Sequence, residues 1–305
     1  MERIESTVGS DSEGERLDRF LALSRPDVSR SAIQREIREG RVLVCDAVIQ
    51  RASHRLRVGD IVLWSLPSRL SLRPAAIPLS ILYEDGALVA LDKPAGLVVH
   101  PGAGTRATTL VEGLLATRAL PASDDPARPG IVHRLDKATS GVIVVAKTRS
   151  ALDFLRRQFA DRAVAKSYLA VVDGRVDEDE GRIDAPIGRD PTRPSRMTVH
   201  PRGRAAQAEF QVLDRLPGRT LLCVRPRTGR THQIRVQLRY IGHPVIGDEV
   251  YGGGTVAERM LLHAWRLAIR HPETGEELRL EAPPPSAFPA YPYEGLPWSR
   301  IPDTA

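Results

Sequence analysis

The sequence has few cysteines, no metal-binding spacing and no long apolar run. Its two cysteines, Cys45 and Cys223, fit no metal-ligand pattern and lie in strand-like segments. We expect reduced core residues of a cytoplasmic protein rather than a disulfide. None of the eight histidines forms a His-x-x-x-His pair. No stretch approaches the ~18 apolar residues of a membrane span, and residues 1–15 lack the apolar centre of a signal peptide. The sequence therefore predicts neither a metal site nor a membrane association.

Motifs for nucleotide binding and for serine hydrolysis are also missing. No Gly-x-Ser-x-Gly segment is present, so a serine hydrolase is not expected. Gly102 and Gly104 are too few for a loop that holds phosphates, because neither the Walker spacing nor the dinucleotide-binding spacing occurs. The sequence therefore contains neither of these two nucleotide-binding motifs.

Positive charge is abundant in an otherwise ordinary globular composition. The 305 residues are 42% hydrophobic and 27% charged, enough for two domains or one large domain. The net charge is +6, and arginine far outnumbers lysine. Such a surface attracts polyanions, and the planar guanidinium suits phosphate. Because genomic base bias also enriches arginine, the positions of the arginines along the chain say more than their number.

The N-terminal region predicts a disordered tail over residues 1–14 and a small domain over residues 15–65. Leu17, Phe20 and Leu21 recur at helical spacing, and Ile33 with Ile37 marks a second helix that Ser29 can cap. Short strands follow, with a turn at Asp46-Ala47. The arginines of this region are interpreted either as a solvated basic face or as a surface that contacts RNA phosphates. They are Arg30, Arg35, Arg38, Arg41 and Arg55.

This region resembles the small RNA-binding module named after ribosomal small-subunit protein S-four. The resemblance rests on Arg-Leu-Asp at 16–18, Ser29-Arg30-Ser31, Gly40-Arg41-Val42 and Val58-Gly59-Asp60. The family usually has Val-Asn-Gly at its hairpin, whereas this chain has Val44-Cys45-Asp46. The resemblance implies RNA binding, and the departure leaves the type of turn open.

A linker, a large domain and a C-terminal tail are expected to follow. Residues 66–78 contain three prolines without periodicity, which is typical of a semi-rigid linker. Residues 79–285 are rich in strand-like segments with a few helices, and they predict an α+β domain with a mixed or antiparallel sheet. One helix, with Ile234 and Leu238 on its buried face, is expected to be capped by Thr231. Residues 286–305 are expected to lie along the surface as a tail.

A charged cluster at residues 133–141 leads directly into the apolar run 142–146, which reads as a buried strand. The cluster is therefore expected on a turn at the edge of a sheet. Asp136 lies between Arg134 and Lys137, and nearby cations favour an ionised carboxylate that acts as a nucleophile or base. The alternative is that Asp136 only ties the turn by accepting hydrogen bonds from Thr139 and Ser140.

The same cluster, His133-Arg134-Leu135-Asp136 followed by Thr139-Ser140-Gly141, resembles the signature of the RluA/RluD-type pseudouridine synthases. The resemblance covers about residues 80–285 and includes further motifs in the expected order. They are Lys93-Pro94-Ala95-Gly96 with His100-Pro101-Gly102, the Lys-x-Tyr-x-Ala strand at 166–170, the stretch 227–238, and the stretch 242–252. It implies the pseudouridine synthase fold, with a cleft across a large central sheet.

The resemblance also implies an isomerase that converts uridine in RNA to pseudouridine without a cofactor or a metal. Asp136 would be the catalytic carboxylate, Arg235 its basic partner and Tyr168 a second active-site residue. From the residues alone, Tyr168 could equally be a core tyrosine and Arg235 a surface arginine of a helix. Arg134 is expected to fill the space of a flipped base. The other expected substrate contacts are His133, Arg230 and Gln233. Gln237 replaces the family's usual histidine, and we expect that to affect packing only.

The expected partner is RNA. The chain is most similar to the RluD-like enzymes, which implies that this RNA is large-subunit ribosomal RNA. The protein is expected to be a monomer. Asp136 could attack the ribose carbon, add to the base or deprotonate the sugar, and the sequence does not choose among these routes. The alternative function is a non-catalytic RNA-binding or ribosome-assembly factor on the same scaffold. The joint presence of Asp136, Tyr168 and Arg235 favours the enzyme.

Overall fold

The computed structural model describes residues 2–26, 28, 30–66, 72–102, 107–193, 196–252 and 257–302. The expected helix cap Ser29, residues 67–71 of the expected linker and Gly104 lie outside the described residues. The chain divides into two compact units, Met1–Ser71 and Leu72–Ala305.

The first unit contains an antiparallel sheet and two helices. Its elements are β1 (Glu2–Thr7), α1 (Leu17–Ser24), α2 (Arg30–Arg38), β2 (Val42–Val44), β3 (Ala47–Val48) and β4 (Ile61–Leu66), with a 3-10 turn at Ser10–Ser12. The sheet has the order β1-β4-β2-β3. The prediction of a disordered tail over residues 1–14 is wrong, because β1 pairs with β4 along its whole length and Val8 is buried. This pairing joins segments far apart in sequence, so the polar local composition does not reveal it.

The core of the first unit confirms the two predicted helices. Leu17, Leu21, Ile33 and Ile37 pack together around Trp64. The hairpin between β2 and β3 turns at Cys45 and Asp46, one residue earlier than predicted, with φ of 46° and 63°. Two successive left-handed residues form a type I′ turn, which matches the twist of the strands.

The second unit contains most of the strands. Its elements are β5 (Ser80–Glu84), β6 (Leu88–Lys93), α3 (Leu110–Leu115), β7 (Ser140–Ala146), α4 (Arg149–Ala160), β8 (Ala165–Asp173), β9 (Glu180–Asp184), β10 (Ile187–Arg189), β11 (Met197–Val199), β12 (Gln207–Leu216), β13 (Arg219–Pro226), α5 (Gln233–Tyr240), β14 (Leu262–Arg270) and β15 (Glu277–Glu281), with a 3-10 turn at Tyr293–Gly295.

Nine of these strands form one mixed sheet. Its order is β5-β6-β7-β14-β8-β13-β12-β9, and β15 pairs with β14. The β7–β14 pairing is parallel, and the other pairings of this sheet are antiparallel. The β10–β11 hairpin stands apart from this sheet. The predicted α+β class with a mixed sheet is therefore confirmed.

Helices cover the two faces of the β6–β7 region. Leu152 and Leu155 of α4 pack with Val144 on one face, and Leu110 of α3 packs with Val145 on the other. Successive residues of a strand point to opposite faces, so a continuous apolar run such as that of β7 suits a strand buried on both sides. Helix α4 is capped as its sequence indicates, since the side chain of Thr148 accepts from the amide of Ala151.

The expected linker and the C-terminal tail both pack on the second unit. Ala75 donates from its backbone amide to the carbonyl of Glu112, 3.1 Å away, so the described part of the linker adheres to α3. In the tail, Phe288 is buried in a cluster with Leu169, Leu221 and Trp265. The segment 286–302 therefore covers one face of the sheet, because its aromatic side chains match the apolar residues there, instead of lying loosely along the surface.

The charged cluster lies over the middle of this sheet. Residues 133–139 lead into β7, which is a central strand between β6 and β14 rather than an edge strand. Gly141 has φ 112°, and a Cβ there would lie 2.1 Å from the carbonyl oxygen of Ala264. Only glycine permits this close approach of β7 to β14, which fixes where the loop carrying Asp136 leaves the sheet.

Candidate active site

Asp136 and Arg235, 99 residues apart in sequence, form an ion pair. Nη1 of Arg235 donates to Oδ2 of Asp136 at 3.0 Å. The carboxylate does not tie its own turn through Thr139, whose amide donates to the backbone carbonyl of Asp136 instead. Arg134 and Lys137, the sequence neighbours considered as cationic partners, are both exposed. The cation next to the carboxylate is therefore Arg235, which α5 supplies.

A second acid, Asp248, orients Arg235. Nε and Nη2 of Arg235 donate to its two carboxylate oxygens at 2.7 and 2.8 Å, and the amides of Val250 and Tyr251 donate to the same carboxylate. Burial opposes the charge of Arg235, but the hydrogen bonds and charges of Asp248 and Asp136 outweigh it, and the pKa of the guanidinium is raised. Arg235 is only 6% exposed, so it is not a surface arginine.

The start of α5 differs from the prediction. Thr231 does not cap the helix, because the residue before its first turn is His232, with φ 55° and no side-chain capping bond. The side chain of Gln233 orders this start instead: its Oε1 accepts from the hydroxyl of Thr228 and the amide of Arg230, and its Nε2 donates to the carbonyl of Gln207. The oxygen and the nitrogen of this expected substrate contact therefore both bond within the protein.

Tyr168 lies on β8 and lines the same cavity as Asp136 and Arg235. Burial, with a further contribution from the charge of Asp136, raises the pKa of its phenol. Within the described part of the chain, its hydroxyl makes no hydrogen bond, which differs from a core tyrosine with a satisfied hydroxyl. The ring thus presents an aromatic wall to the cavity, in its neutral form.

His133 also lines this cavity, but its ring is held by the protein. Its Nε2 accepts from the amide of Val144 at 2.9 Å, and the ring stacks on Phe159 at 4.5 Å between centroids. Burial, assisted by the charge of Lys166, lowers the pKa of its imidazole to about 3. A neutral ring with Nε2 occupied orients the loop before Asp136 and leaves only Nδ1 for the expected substrate contact.

The cavity has a volume of about 540 Å³, within the usual range for ligand sites. Asp136 is the single acid among its described lining residues, whereas the cations are many. They are Arg134, Arg162, Lys166, Arg204, Arg227, Arg230 and Arg235. Arg227 binds Glu209 and Arg230 donates to the carbonyl of Ala205. The arrangement suits an anionic polymer around a single carboxylate.

Lys93 holds the loop of Asp136 through hydrogen bonds to backbone carbonyls. Its ammonium donates to the carbonyls of Pro94, Leu97 and Lys137 at 2.8, 2.9 and 3.3 Å. Burial lowers its pKa to about 8, against the opposing charge of Asp136. The first family motif therefore holds the carboxylate loop and does not line the cavity.

The predicted RNA-binding arginines of the first unit divide into two groups. Arg30 and Arg41 are ion-paired with the buried acids Asp18 and Glu36, at 3.0 and 2.5 Å. The other three are exposed and contact the described protein through one guanidinium nitrogen each. Nε of Arg35 lies 3.7 Å from Glu36, Nε of Arg38 donates to the carbonyl of Gln34, and Nη1 of Arg55 donates to the carbonyl of Gly14.

No helix among the described residues is long and apolar enough to cross a bilayer. The same residues bring together no group of three or more His, Cys, Asp or Glu side chains suited to a metal ion.

A family model for RNA pseudouridylate synthase matches residues 87–240, and a model for the S4 domain matches residues 15–62. The chain belongs to the RNA pseudouridine synthase family. The resemblance drawn from the motifs is thus confirmed, and so is the class of protein: a pseudouridine synthase is an RNA-modifying isomerase.

Similar proteins span most of the chain. It is 41% identical to the uncharacterized RNA pseudouridine synthase YlyB of Bacillus subtilis, covering 93% of this chain and 95% of that protein. It is 42% identical to the ribosomal large subunit pseudouridine synthase D of Nitrosomonas europaea, covering 94% and 86%. Among solved structures, human RNA pseudouridylate synthase domain containing 1 is 29% identical with a TM-score of 0.57, covering 68% of this chain and 83% of that chain.

Several residues of this site were missed by sequence reasoning. Asp248, Tyr251 and Lys166 lie in stretches that match the family, but no role was expected for them. Asp248 carried no specific signal, since Glu249 follows it directly and nothing in the spacing selects one of these two acids as the partner of Arg235. His232 and Tyr251 carried none, because their contact spans 19 residues.

Proposed function

We propose that this synthase isomerises specific uridines of large-subunit ribosomal RNA, with Asp136 as the catalytic carboxylate and with the target base flipped out of its stack. The observation that carries the proposal is the Asp136–Arg235 pair beside Tyr168 in one cation-lined cavity. The large-subunit RNA is supported by the name of the Nitrosomonas europaea relative and by the matched S4 domain. A cytoplasmic monomer is part of the same proposal.

The reaction breaks the bond between ribose C1′ and uracil N1 and forms a bond between C1′ and C5. The C5 proton leaves to solvent and N1 gains a proton, so no other atom enters or leaves. In this reaction Asp136 meets the nucleoside, and Arg235 keeps a positive charge 3.0 Å from its Oδ2. Tyr168 supplies a flat surface against the base. These groups act inside a cavity, which a stacked base cannot enter, so the uridine must first unstack at a cost of a few kcal/mol.

The rim residues support the capture of the strand. The side chains of Arg134, Arg162 and Arg204 make no hydrogen bond or ion pair within the ranges that the structure covers, and each lines the cavity. Exposed guanidinium groups of this kind position phosphates. Arg134 is next but one to Asp136, so it is placed to fill the space that a flipped base leaves.

The test is tritium release from C5 of uracil in a large-subunit ribosomal RNA transcript, with mapping of the modified positions. Asp136→Asn should keep its RNA affinity and its folded structure. Its turnover should fall by a factor of about 10⁴ or more, as when a reactive group is removed. Asp153→Asn is the matched control, because that aspartate lies on the exposed surface of α4 and pairs with Arg149.

Three results would contradict the proposal. Substantial tritium release by Asp136→Asn would remove the carboxylate from the chemistry. Absence of modified positions in the transcript with wild-type protein would instead remove this RNA as the substrate, and binding without turnover on every RNA tested would favour the non-catalytic alternative.

A further inference from the structure

His232 stands beside Asp136 in a conformation that few residues adopt. Its φ of 55° and ψ of 22° place it in the left-handed region, where a non-glycine residue is strained. This backbone directs the imidazole into the cavity, with Nε2 4.0 Å from Oδ1 of Asp136. Arg235 binds the other oxygen, Oδ2. The two oxygens of the carboxylate therefore face different groups, and Oδ1 remains available.

The proton on His232 can be assigned from its neighbour. Its Nδ1 lies 2.7 Å from the hydroxyl of Tyr251, and that hydroxyl already accepts from the amide of Met197 at 2.9 Å. Tyr251 is 4% exposed, and within the described chain Nδ1 is the one acceptor for its proton. A buried hydroxyl that donates to Nδ1 leaves the proton of a neutral imidazole on Nε2. Burial lowers the pKa of His232, with the charge of Asp136 opposing it, so the ring is neutral at neutral pH.

The site thus offers one donor, the Nε2–H of His232, and one acceptor, Oδ1 of Asp136, separated by 4.0 Å. This separation is too long for a hydrogen bond between them. An oxygen atom about 2.8 Å from each would subtend an angle of about 90°, which a hydroxyl group accommodates. The occupant must accept from a neutral nitrogen and donate to a carboxylate at the same atom.

Only a hydroxyl meets both requirements among the groups of an RNA nucleotide. The uracil carbonyls accept without donating, and its N3–H donates without accepting. The 3′ and 5′ oxygens of an internal nucleotide are esterified to phosphate, so the 2′-hydroxyl is its one free hydroxyl. That group is both donor and acceptor and distinguishes RNA from DNA.

We infer that His232 and Oδ1 of Asp136 together bind the 2′-hydroxyl of the target uridine, which makes His232 a determinant of sugar specificity. The inference rests on the proposed function, because it places the target nucleotide against Asp136. The inference explains the strained backbone of His232. The left-handed conformation brings Nε2 to the sugar, and Tyr251 fixes the tautomer of the imidazole.

The test is a cycle of enzyme and substrate changes. The probes are two stem-loop RNAs around a uridine mapped as modified in the large-subunit transcript, one with ribose and one with 2′-deoxyribose at that single position. Dissociation constants and single-turnover tritium release are measured for wild type, His232→Asn and Tyr251→Phe. Asparagine tolerates the left-handed backbone but does not reach the sugar. His243→Asn is the matched control, since that histidine bonds the carbonyl of Asp173 and does not line the cavity.

For wild type and His243→Asn, loss of the 2′-hydroxyl should weaken binding about 25-fold, the effect of two hydrogen bonds at about fivefold each. For His232→Asn and Tyr251→Phe the factor should fall to about fivefold, because only the bond to Oδ1 remains intact. Tritium release by wild type with the same factor in His232→Asn as in wild type would overturn the inference alone, and would mean that a water occupies the gap. No release by wild type from the ribose probe would overturn the proposed function, and the inference with it.

Discussion

The guanidinium of Arg235 binds the carboxylate of Asp248 through two hydrogen bonds of 2.7 and 2.8 Å, which leaves Nη1 directed at Asp136. A bidentate pair fixes both the position and the plane of the guanidinium. Asp248 is buried, and two backbone amides hold it in turn. The carboxylate proposed to react is therefore placed by a chain of contacts that ends at the backbone amides of Val250 and Tyr251.

We expect Asp248→Asn to lower turnover by about 10- to 100-fold, in the range seen when a supporting group of a site is replaced. An amide keeps the shape but loses one acceptor oxygen and the charge, so Arg235 tilts away from Asp136. RNA affinity should stay within about twofold, because Asp248 is buried and is not among the residues that line the cavity. Tritium release and filter binding measure the two quantities, with Asp177→Asn on the exposed surface as the control. Equal turnover in both variants would show that Asp248 does not position Arg235.

Several elements of the fold and three residues of the site were predicted from the sequence, because their signals lie within short stretches of the chain. Apolar periodicity placed α1 and α2, and an apolar run placed β7, since both signals depend on neighbouring residues. The motif resemblance gathered Asp136, Tyr168 and Arg235, and the structure brings the three to one cavity. The elements were thus predicted from short-range patterns, and the three site residues were predicted from whole motifs.

The features that the sequence did not reveal are contacts between residues far apart in the chain or in different elements. Many acids could have bound Arg235, and nothing in the spacing selects Asp248. The polar segment of β1 becomes a strand only because β4 offers it an edge. His133 looked like a substrate contact, yet its Nε2 is taken by Val144 of the following strand. Long-range hydrogen bonding decided each of these outcomes.

The exposed arginines of α2 should contribute to RNA affinity through phosphates. Arg35 is 63% exposed, and Arg38 uses only Nε, on the carbonyl of Gln34. We expect Arg35→Gln with Arg38→Gln to weaken RNA binding and to reduce the slope of log K against log salt by about 2, one for each lost contact. Filter binding over a series of salt concentrations gives the slope.

The control for that experiment is Arg279→Gln, an exposed arginine of β15 that pairs with Glu277. It should leave the slope unchanged. A slope that is equal in all three proteins would assign these arginines to a solvated face without RNA contacts. Arg30 and Arg41 are unsuitable for this test, because their ion pairs with Asp18 and Glu36 also support the domain.

Asp18 should make the first unit sensitive to acid. It is fully buried and accepts from Arg16, Gln34 and Arg30, and these hydrogen bonds, that of Arg16 above all, lower the pKa of its carboxyl against the effect of burial. A carboxyl with a depressed folded-state pKa stabilises the fold above its unfolded value of about 4 and loses that contribution as pH falls below it.

We therefore expect Asp18→Asn to destabilise the first unit by about 1.5 kcal/mol near neutral pH, a low value for a charged hydrogen bond because both arginines are partly exposed. The deficit relative to wild type should shrink as pH falls below about 4. Hydrogen exchange over residues 17–38 measures this locally. Asp11→Asn, on the exposed 3-10 turn, is the control. A deficit that stays constant with pH would mean that packing, and not charge, holds the two helices.

Lys166 should make RNA binding sensitive to alkali. It lines the cavity half-buried, and burial, followed by the charge of Arg162, lowers its pKa to about 8. Its ammonium has no hydrogen bond or ion pair in the ranges described, so a phosphate would be its first acceptor. Because phosphate prefers the charged amine, RNA binding takes up a proton when the free lysine is neutral. RNA affinity should therefore fall as pH rises from about 7 to about 9.

Lys166→Met should bind RNA more weakly near neutral pH and should lack this fall, since methionine keeps the length of the side chain without its charge. Lys93 also has a pKa of about 8, but it bonds three backbone carbonyls and is unchanged in both proteins, so its effect cancels in the comparison. Lys147→Met, which removes a partner of Glu84, is the control. If the dissociation constants of wild type and Lys166→Met change in parallel with pH, the lysine does not bind a phosphate. A lysine that binds a phosphate would lose affinity when its ammonium is deprotonated, and the methionine variant would not.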